Sequence, residues 1–236
     1  METATRVMSS GLRPAFCAAA AMRAKMLARF CAIGLSPGMD ARLLFWARAV
    51  KQRRRGRLPV LWLFTDFLRA PDPMPAIARL PPGLSGVVLR HDEAPERAAL
   101  ALRVAKLCRA RRLGLVVAGD ARLAARLRAG LHLRGGRRLL GGRLAGLVTS
   151  SAHNVPEILA ARRAGAKILF ISPAFATASH PGGRALGAVR WRLLARRAGP
   201  CFAYALGGIS GQKVKELAGF CYGVGAIHAL EAGISS

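Results

Sequence analysis

The chain has 236 residues, 53% of them hydrophobic, and a formal net charge of +27. The apolar share supports a substantial core and excludes a globally disordered chain, and the length fits one large α/β domain or two small ones. Of the 38 basic residues only six are lysine. The arginines recur on every helical segment, as at Arg103 and Arg109, Arg122 and Arg126, Arg162 and Arg163, Arg196 and Arg197. That spread reads as solvated helix surface and not as one anion-binding cluster. Aromatic residues reach only 6%, too few for a base-stacking surface, so a nucleic-acid partner is not expected.

Residues 1–38 hold a short apolar stretch, residues 15–22, followed at once by Arg23 and Lys25. It is too short to span a bilayer, and the segment reads as an extension without a stable fold of its own. Asp40 is placed to cap a helix over residues 41–50, with Leu43, Leu44, Ala47 and Val50 on one face. The basic run K-Q-R-R-R-G-R at residues 51–57 ends that helix as an exposed linker. Residues 1–57 thus form a partly disordered extension with one helix, and residues 58–236 the folded domain. Five cysteines, Cys17, Cys31, Cys108, Cys201 and Cys221, contain no C-x-x-C pair. They read as free thiols in a reducing compartment, the cytoplasm, with no membrane attachment.

From Leu58 onward short apolar runs alternate with segments rich in Ala, Leu and Arg. The runs are residues 60–64, 86–89, 113–117, 131–133, 144–148, 168–171, 202–206 and 224–227. Each is the length of a buried strand, and each contains or is followed by Gly, Ser, Thr, Asp or His. Residues 148–180 show the repeat most clearly. There an apolar run ends in Ser150, Ser151 and His153, and Asn154 caps a helix that Gly165 ends. The next run, residues 168–171, ends in Ser172. Eight such units predict an α/β protein of the (β/α)8 TIM-barrel class, with an N-terminal helical extension. The competing fold, a doubly wound open sheet, requires G-x-G-x-x-G after its first strand, and Thr65-Asp66-Phe67 stands there instead.

In such a barrel the ligand site lies at the carboxyl ends of the strands. The five histidines, His91, His132, His153, His180 and His228, lie within or just after the predicted strands, where they suit phosphate handling and proton transfer. No H-x-H or H-E-x-x-H spacing supports a metal site. The turn at Gly207 and Gly208 after the seventh strand, and Gly225 in the eighth, sit where backbone N–H groups bind phosphate in many barrels.

Seven short motifs occur in order: L-F-T-D at residues 63–66, V-V-L-R at 87–90, G-L-H-L at 130–133, S-A-H at 151–153, S-P-A-F-A-T at 172–177, A-L-G-G-I at 205–209 and G-A-I-H-A-L at 225–230. Together they resemble the thiamine phosphate synthase family, which includes the thiazole tautomerases. The resemblance implies an enzyme of thiamine biosynthesis, a transferase or an isomerase. Synthases join an aminomethylpyrimidine pyrophosphate to a thiazole phosphate, and pyrophosphate leaves with the help of Mg²⁺.

The pyrophosphate half of the family pattern is the part that departs. Arg90 is kept, but Val88 stands for a Gln and Asp92 for a Lys. An Asn-Asp pair after the third strand becomes Ala118-Gly119-Asp120, which leaves Asp120 as the one metal-ligand candidate. A second metal-binding Asp falls near Arg137, and a later Lys falls on His180. No metal site is therefore assigned, no cofactor is certain, and Mg²⁺ would find few of its family ligands. The thiazole phosphate half matches better, through Thr177, Ala178, Ser179, Gly207, Gly208, Ile227 and His228, with His180 beside them. Ser151 matches a pyrimidine-pyrophosphate position. His153 stands where the tautomerases place their acid/base. The pattern points to a phosphorylated thiazole as ligand and to proton transfer in place of C–N bond formation. An active divergent synthase, a non-catalytic binder of a phosphorylated ligand and an Arg-rich nucleic-acid binder are the alternatives.

Overall fold

Short strands with almost every side chain buried must be covered on both faces, and a closed barrel sheathed in helices does this. The computed structural model describes residues 39–135, 146–177, 184–217 and 219–231. In chain order come α1 (Ala41–Arg54), β1 (Leu61–Phe64), α2 (Met74–Arg79), β2 (Ser85–Leu89), α3 (Arg97–Ala110) and β3 (Gly114–Ala118). Then follow α4 (Ala121–Arg126), β4 (Gly130–Leu133), β5 (Val148–Ala152), α5 (Val155–Arg163) and β6 (Ile168–Ile171). The chain continues through α6 (Gly187–Arg196), β7 (Phe202–Leu206), a 3-10 turn (Lys213–Leu217), β8 (Gly223–Ala226) and α7 (His228–Glu231). The strands are all parallel and close in sequence order, β8 pairing with β1. This is the (β/α)8 barrel that the alternation predicts. Among the described residues no helix is long and apolar enough to cross a membrane. The expectation for residues 1–38 lies outside the described residues.

Alternate strand residues fill the interior. Trp62, Phe64, Val88, Val116, Ala118, Ile168, Phe170 and Tyr204 form one buried cluster. Its rings meet edge to face, Phe64 and Phe170 with centroids 4.8 Å apart and Phe170 and Tyr204 5.5 Å apart. Each such pair adds about 0.5–1.5 kcal/mol to what burial gives. Glycines on neighbouring strands make the room: a Cβ at Gly86 would lie 2.7 Å from the Trp62 ring, and one at Gly223 2.1 Å from Tyr204.

Two local expectations need correction. Helix α1 does not stop where the basic run begins but continues through Arg54. Cationic side chains suit a helix C-terminus, and the run finds partners there. Lys51 Nζ donates to Leu58 O at 2.8 Å, and the Arg54 guanidinium donates to Gly219 O at 3.2 Å and covers the Tyr222 ring. At the other end Asp40 caps the helix, accepting from Arg42 N and Leu43 N, and also accepts from Gly211 N at 2.6 Å. With Leu43, Leu44, Ala47 and Val50 buried, α1 is packed onto the barrel. The second correction is the fifth strand, expected at residues 144–148 and found at Val148–Ala152. Thr149 and Ser151 are interior strand positions although they are polar, because a buried histidine meets their hydroxyls.

Candidate functional site

Above the aromatic interior, at the carboxyl ends of the strands, His132 forms the floor of the mouth. It lies opposite Ala118 on β3 and Thr149 on β5, is 1% exposed, and packs against the rings of Phe64 and Phe170. Its Nδ1 is 2.8 Å from Thr149 Oγ1 and its Nε2 2.9 Å from Ser151 Oγ. Burial, with the nearby Arg90 charge, pushes its pKa down to about 3. The ring is therefore neutral at physiological pH, with one nitrogen donating and the other accepting. It orients the Ser151 hydroxyl at the mouth and is a poor proton carrier.

His91 is fully buried beside it in sequence order but serves the β1–α2 loop. Its Nε2 donates to Ala70 O at 3.1 Å, which leaves Nδ1, 2.9 Å from Thr65 Oγ1, as the acceptor. His153 follows β5 and is more than half exposed. Its Nδ1 and its backbone N both meet Glu157 Oε2 at 2.9 Å. Asn154 closes the motif, donating to Glu157 Oε1 and accepting from Glu157 N. Burial acts to raise the Glu157 pKa, but the hydrogen bonds from His153 and Asn154 outweigh it and hold the carboxyl below its ordinary value. An ionised carboxylate only accepts, so Nδ1 carries a proton toward it.

On the β1–β4 side, guanidinium and carboxylate groups interleave. Arg90 is held by Thr65 O at 3.2 Å and Asp66 Oδ2 at 3.3 Å, with its plane 5.7 Å from the Phe64 ring. Asp66 also meets Arg69 at 3.7 Å. Asp92 lies between Arg97, at 2.8 Å, and Arg134. Arg97 further donates to Ala118 O at 2.8 Å and faces Asp120 at 3.6 Å, while its Nε is buried with no partner among the described residues. Asp120 caps α4 through Leu123 N at 2.9 Å. The negative charge expected at Asp92 is thus neutralised by two arginines. Arg137 lies outside the described residues; Arg134, one position past β4, reaches Asp92 alongside Arg97.

The aspartates that follow β1, β2 and β3 each face arginine, and Asp120 is also engaged as a helix cap. Among the described residues no cluster of three or more His, Cys, Asp or Glu side chains could hold a metal ion.

The β6–β8 side has a different character. Gly207 and Gly208 have φ of 92° and 63°, conformations that favour glycine. A Cβ on Gly208 would lie 2.3 Å from Ala176 O, so the turn carries the segment leading to Thr177 directly against it. The N–H groups of Gly208 and Ile209 have no backbone acceptor among the described residues. Ile227 packs against the interior cluster, and His228 begins α7. Of the sequence-derived site residues, Arg90 and Ser151 stand at the mouth on the β2–β5 arc, and Thr177, Gly207, Gly208 and Ile227 on the β6–β8 arc. His153 stands at the head of α5, tied to Glu157. Ala178, Ser179 and His180 lie outside the described residues. Sequence reasoning missed Arg97, Arg134 and the Thr149–His132–Ser151 chain. For Arg134 its place just past a strand was the available signal; the others depend on register.

A family model described as thiamine monophosphate synthase matches residues 75–230. Similar solved structures include thiamine phosphate pyrophosphorylase from Pyrococcus furiosus, at 21% identity over 76% of this chain and 91% of that one, with a TM-score of 0.61. FabK from Thermotoga maritima matches at 11% identity over 77% of this chain and 61% of that one, TM-score 0.53. The citrate synthase SbnG matches at 13% identity over 75% of this chain and 89% of that one, TM-score 0.52. At these identities the structural likeness establishes the barrel alone, since one barrel hosts many chemistries; the assignment rests on the sequence model. No curated protein matches by sequence.

Proposed function

The chain belongs to the thiamine monophosphate synthase family, and from that premise we propose that it binds a thiazole phosphate at the mouth and moves a proton on its ring without joining a second ring to it. The observation that carries this reading is the commitment of Asp66, Asp92 and Asp120 to arginine. Among the described residues it leaves no carboxylate set clear of arginine for a Mg²⁺-pyrophosphate leaving group, whereas the N–H groups of Gly208 and Ile209 have no backbone acceptor there. The phosphate goes to the Gly207-Gly208 turn, with Thr177 and Ile227 beside it; Ala178, Ser179, His180 and His228 are the further contacts that the family resemblance implies. Arg90 adds positive charge, and Ser151, oriented by His132, donates or accepts toward the ring.

His153 is the acid/base on this reading. Glu157 fixes its tautomer and stabilises the imidazolium once Nε2 has taken a proton, as a carboxylate does in a histidine pair. Tautomerisation requires removal of a proton at one ring atom and its return at another, which one exchanging imidazole performs without metal. The test is calorimetric titration of thiazole phosphate with and without Mg²⁺, followed by proton exchange on the bound ring by NMR. Binding should be indifferent to Mg²⁺. His153→Asn should retain binding and lose about 10²–10⁴-fold in exchange rate. Mg²⁺-dependent formation of thiamine phosphate by the wild type would overturn the proposal in favour of an active synthase.

A further inference from the structure

In the sequence the arginines look scattered; the barrel divides them between its mouth and the opposite face. Each of α1 to α6 carries arginine in its last turn, and only α5 has an acidic residue in its first. In a parallel barrel every helix C-terminus lies at the amino ends of the strands, the face opposite the mouth. The carboxylates go the other way. Asp66, Asp92 and Asp120 follow strand ends at the mouth, and Asp40 joins them through Gly211. Glu216, in the 3-10 turn, is set apart from this grouping. Complementing the helix dipole explains basic last turns, but it does not reach the residues beyond them.

Those residues carry the argument. Among the described residues three non-glycines have a left-handed backbone: Arg55, Arg112 and Arg128, with φ of 45°, 54° and 50°. Each follows the end of a helix and precedes a strand, β1, β3 or β4. Glycine or asparagine is the usual residue at such a position, because a Cβ is unfavourable there. Arginine stands at all three, exposed, and none is ion-paired to a described carboxylate. The backbone at these sites gives no reason for arginine, so the charge does.

We propose that the amino-terminal face of the barrel, with Arg55, Arg112 and Arg128 at its centre, binds the phosphate backbone of a nucleic-acid duplex without reading its sequence. Guanidinium groups match phosphate oxygens in bidentate geometry. Lipid is the weaker match, because a membrane-seated surface inserts apolar side chains. The large exposed hydrophobic nearest this face is Phe220, at 36% exposure, and it lies under the Arg196 guanidinium. The low aromatic content argues against single strands, whose binding relies on base stacking.

Anisotropy titration of a short fluorescent DNA duplex with the full chain, from about 50 to about 200 mM salt, tests this. The key variant replaces Arg55, Arg112 and Arg128 with Gly, which suits their backbone, so it should melt no lower than wild type. At about 0.9 per phosphate contact, the slope of log affinity against log salt should become shallower by about 2.7, with a loss on the order of a hundredfold near 100 mM. The control replaces Arg103, Arg122 and Arg190 with Gln, changing the net charge equally away from this face; its slope should stay near that of wild type. Absent duplex binding, equal losses in the two variants, unchanged binding in the glycine variant, or binding to anionic vesicles but not to duplex would each overturn the proposal.

Discussion

Acidification tests the imidazole under the mouth. Burial, and then Arg90, lower the pKa of His132 from 6.5 to about 3 in the folded barrel, while the unfolded chain keeps the ordinary value. Between the two, the unfolded chain holds a proton that the folded barrel refuses. The contribution of His132 is therefore intact above 6.5 and is lost as pH falls through the window toward about 3. The slope for one such group is about 1.4 kcal/mol per pH unit, so a shift from about pH 7 to about pH 5 costs about 2 kcal/mol. Urea unfolding of wild type and His132→Gln at both pH values measures it. Glutamine keeps a donor and an acceptor for Thr149 and Ser151 and does not titrate. The variant should be less stable at neutral pH, yet its acid-induced loss should be smaller by about 2 kcal/mol. His91, lowered by burial, and Glu157, held low by His153 and Asn154, shift stability in the same direction. Both are present in the two proteins and cancel in the difference. Equal acid losses would refute a neutral, buried His132.

Two further outcomes follow from the two sides of the mouth. Gly208→Ala adds a Cβ 2.3 Å from Ala176 O, whereas Gly83→Ala, at a similar φ, meets nothing within 4 Å. Thermal melts should show a loss of about 1–2 kcal/mol for Gly83→Ala, from backbone strain alone, and a larger loss for Gly208→Ala together with weakened thiazole phosphate binding; equal effects would count against the tight turn. Asp92→Asn frees Arg97 and Arg134 from their carboxylate, so calorimetry with inorganic pyrophosphate in chelator should show tighter binding than wild type, and unchanged affinity would count against the arginines as anion donors.

The barrel was legible because its interior is apolar and its strands are short. Trp62, Phe64, Ile168 and Phe170 mark their strands without ambiguity. Strand β5 was displaced because Thr149 and Ser151 are interior positions whose burial makes sense only beside His132, one strand away. The end of helix α1 is hidden by the charge of its basic run, which resembles a solvated linker yet suits a helix C-terminus and continues the helix through Arg54. At the site, the Gly207-Gly208 turn showed directly, since glycine pairs report backbone needs. The Glu157 link to His153 lay within reach, as i and i+4 residues at a helix start meet. Arg134 was hidden because it follows β4 and meets Asp92 after β2, and the Arg97 contact with Asp120 likewise joins the segments after β2 and β3. Those two pairings are set by strand order in the barrel and not by spacing.

On the proposed reading, that pairing exchanges one kind of anion chemistry for another at the barrel mouth. A divalent metal needs carboxylates that converge with lone pairs free. A guanidinium inserted among them uses those lone pairs itself. Arg97 meets both Asp92 and Asp120, so a single side chain removes two ligand candidates and adds fixed positive charge. On the proposed reading, the affinity of the mouth for phosphate then depends on salt and not on dissolved Mg²⁺. The arrangement does not lock the arginines away. Side chains in these pairs are 21% to 56% exposed, and such pairs contribute no more than about 1 kcal/mol. On the proposed reading, a free anion such as pyrophosphate, with more charge than a carboxylate, exchanges for Asp92 at small cost. On that reading, the carboxylates hold the guanidinium groups in position until a stronger anion arrives.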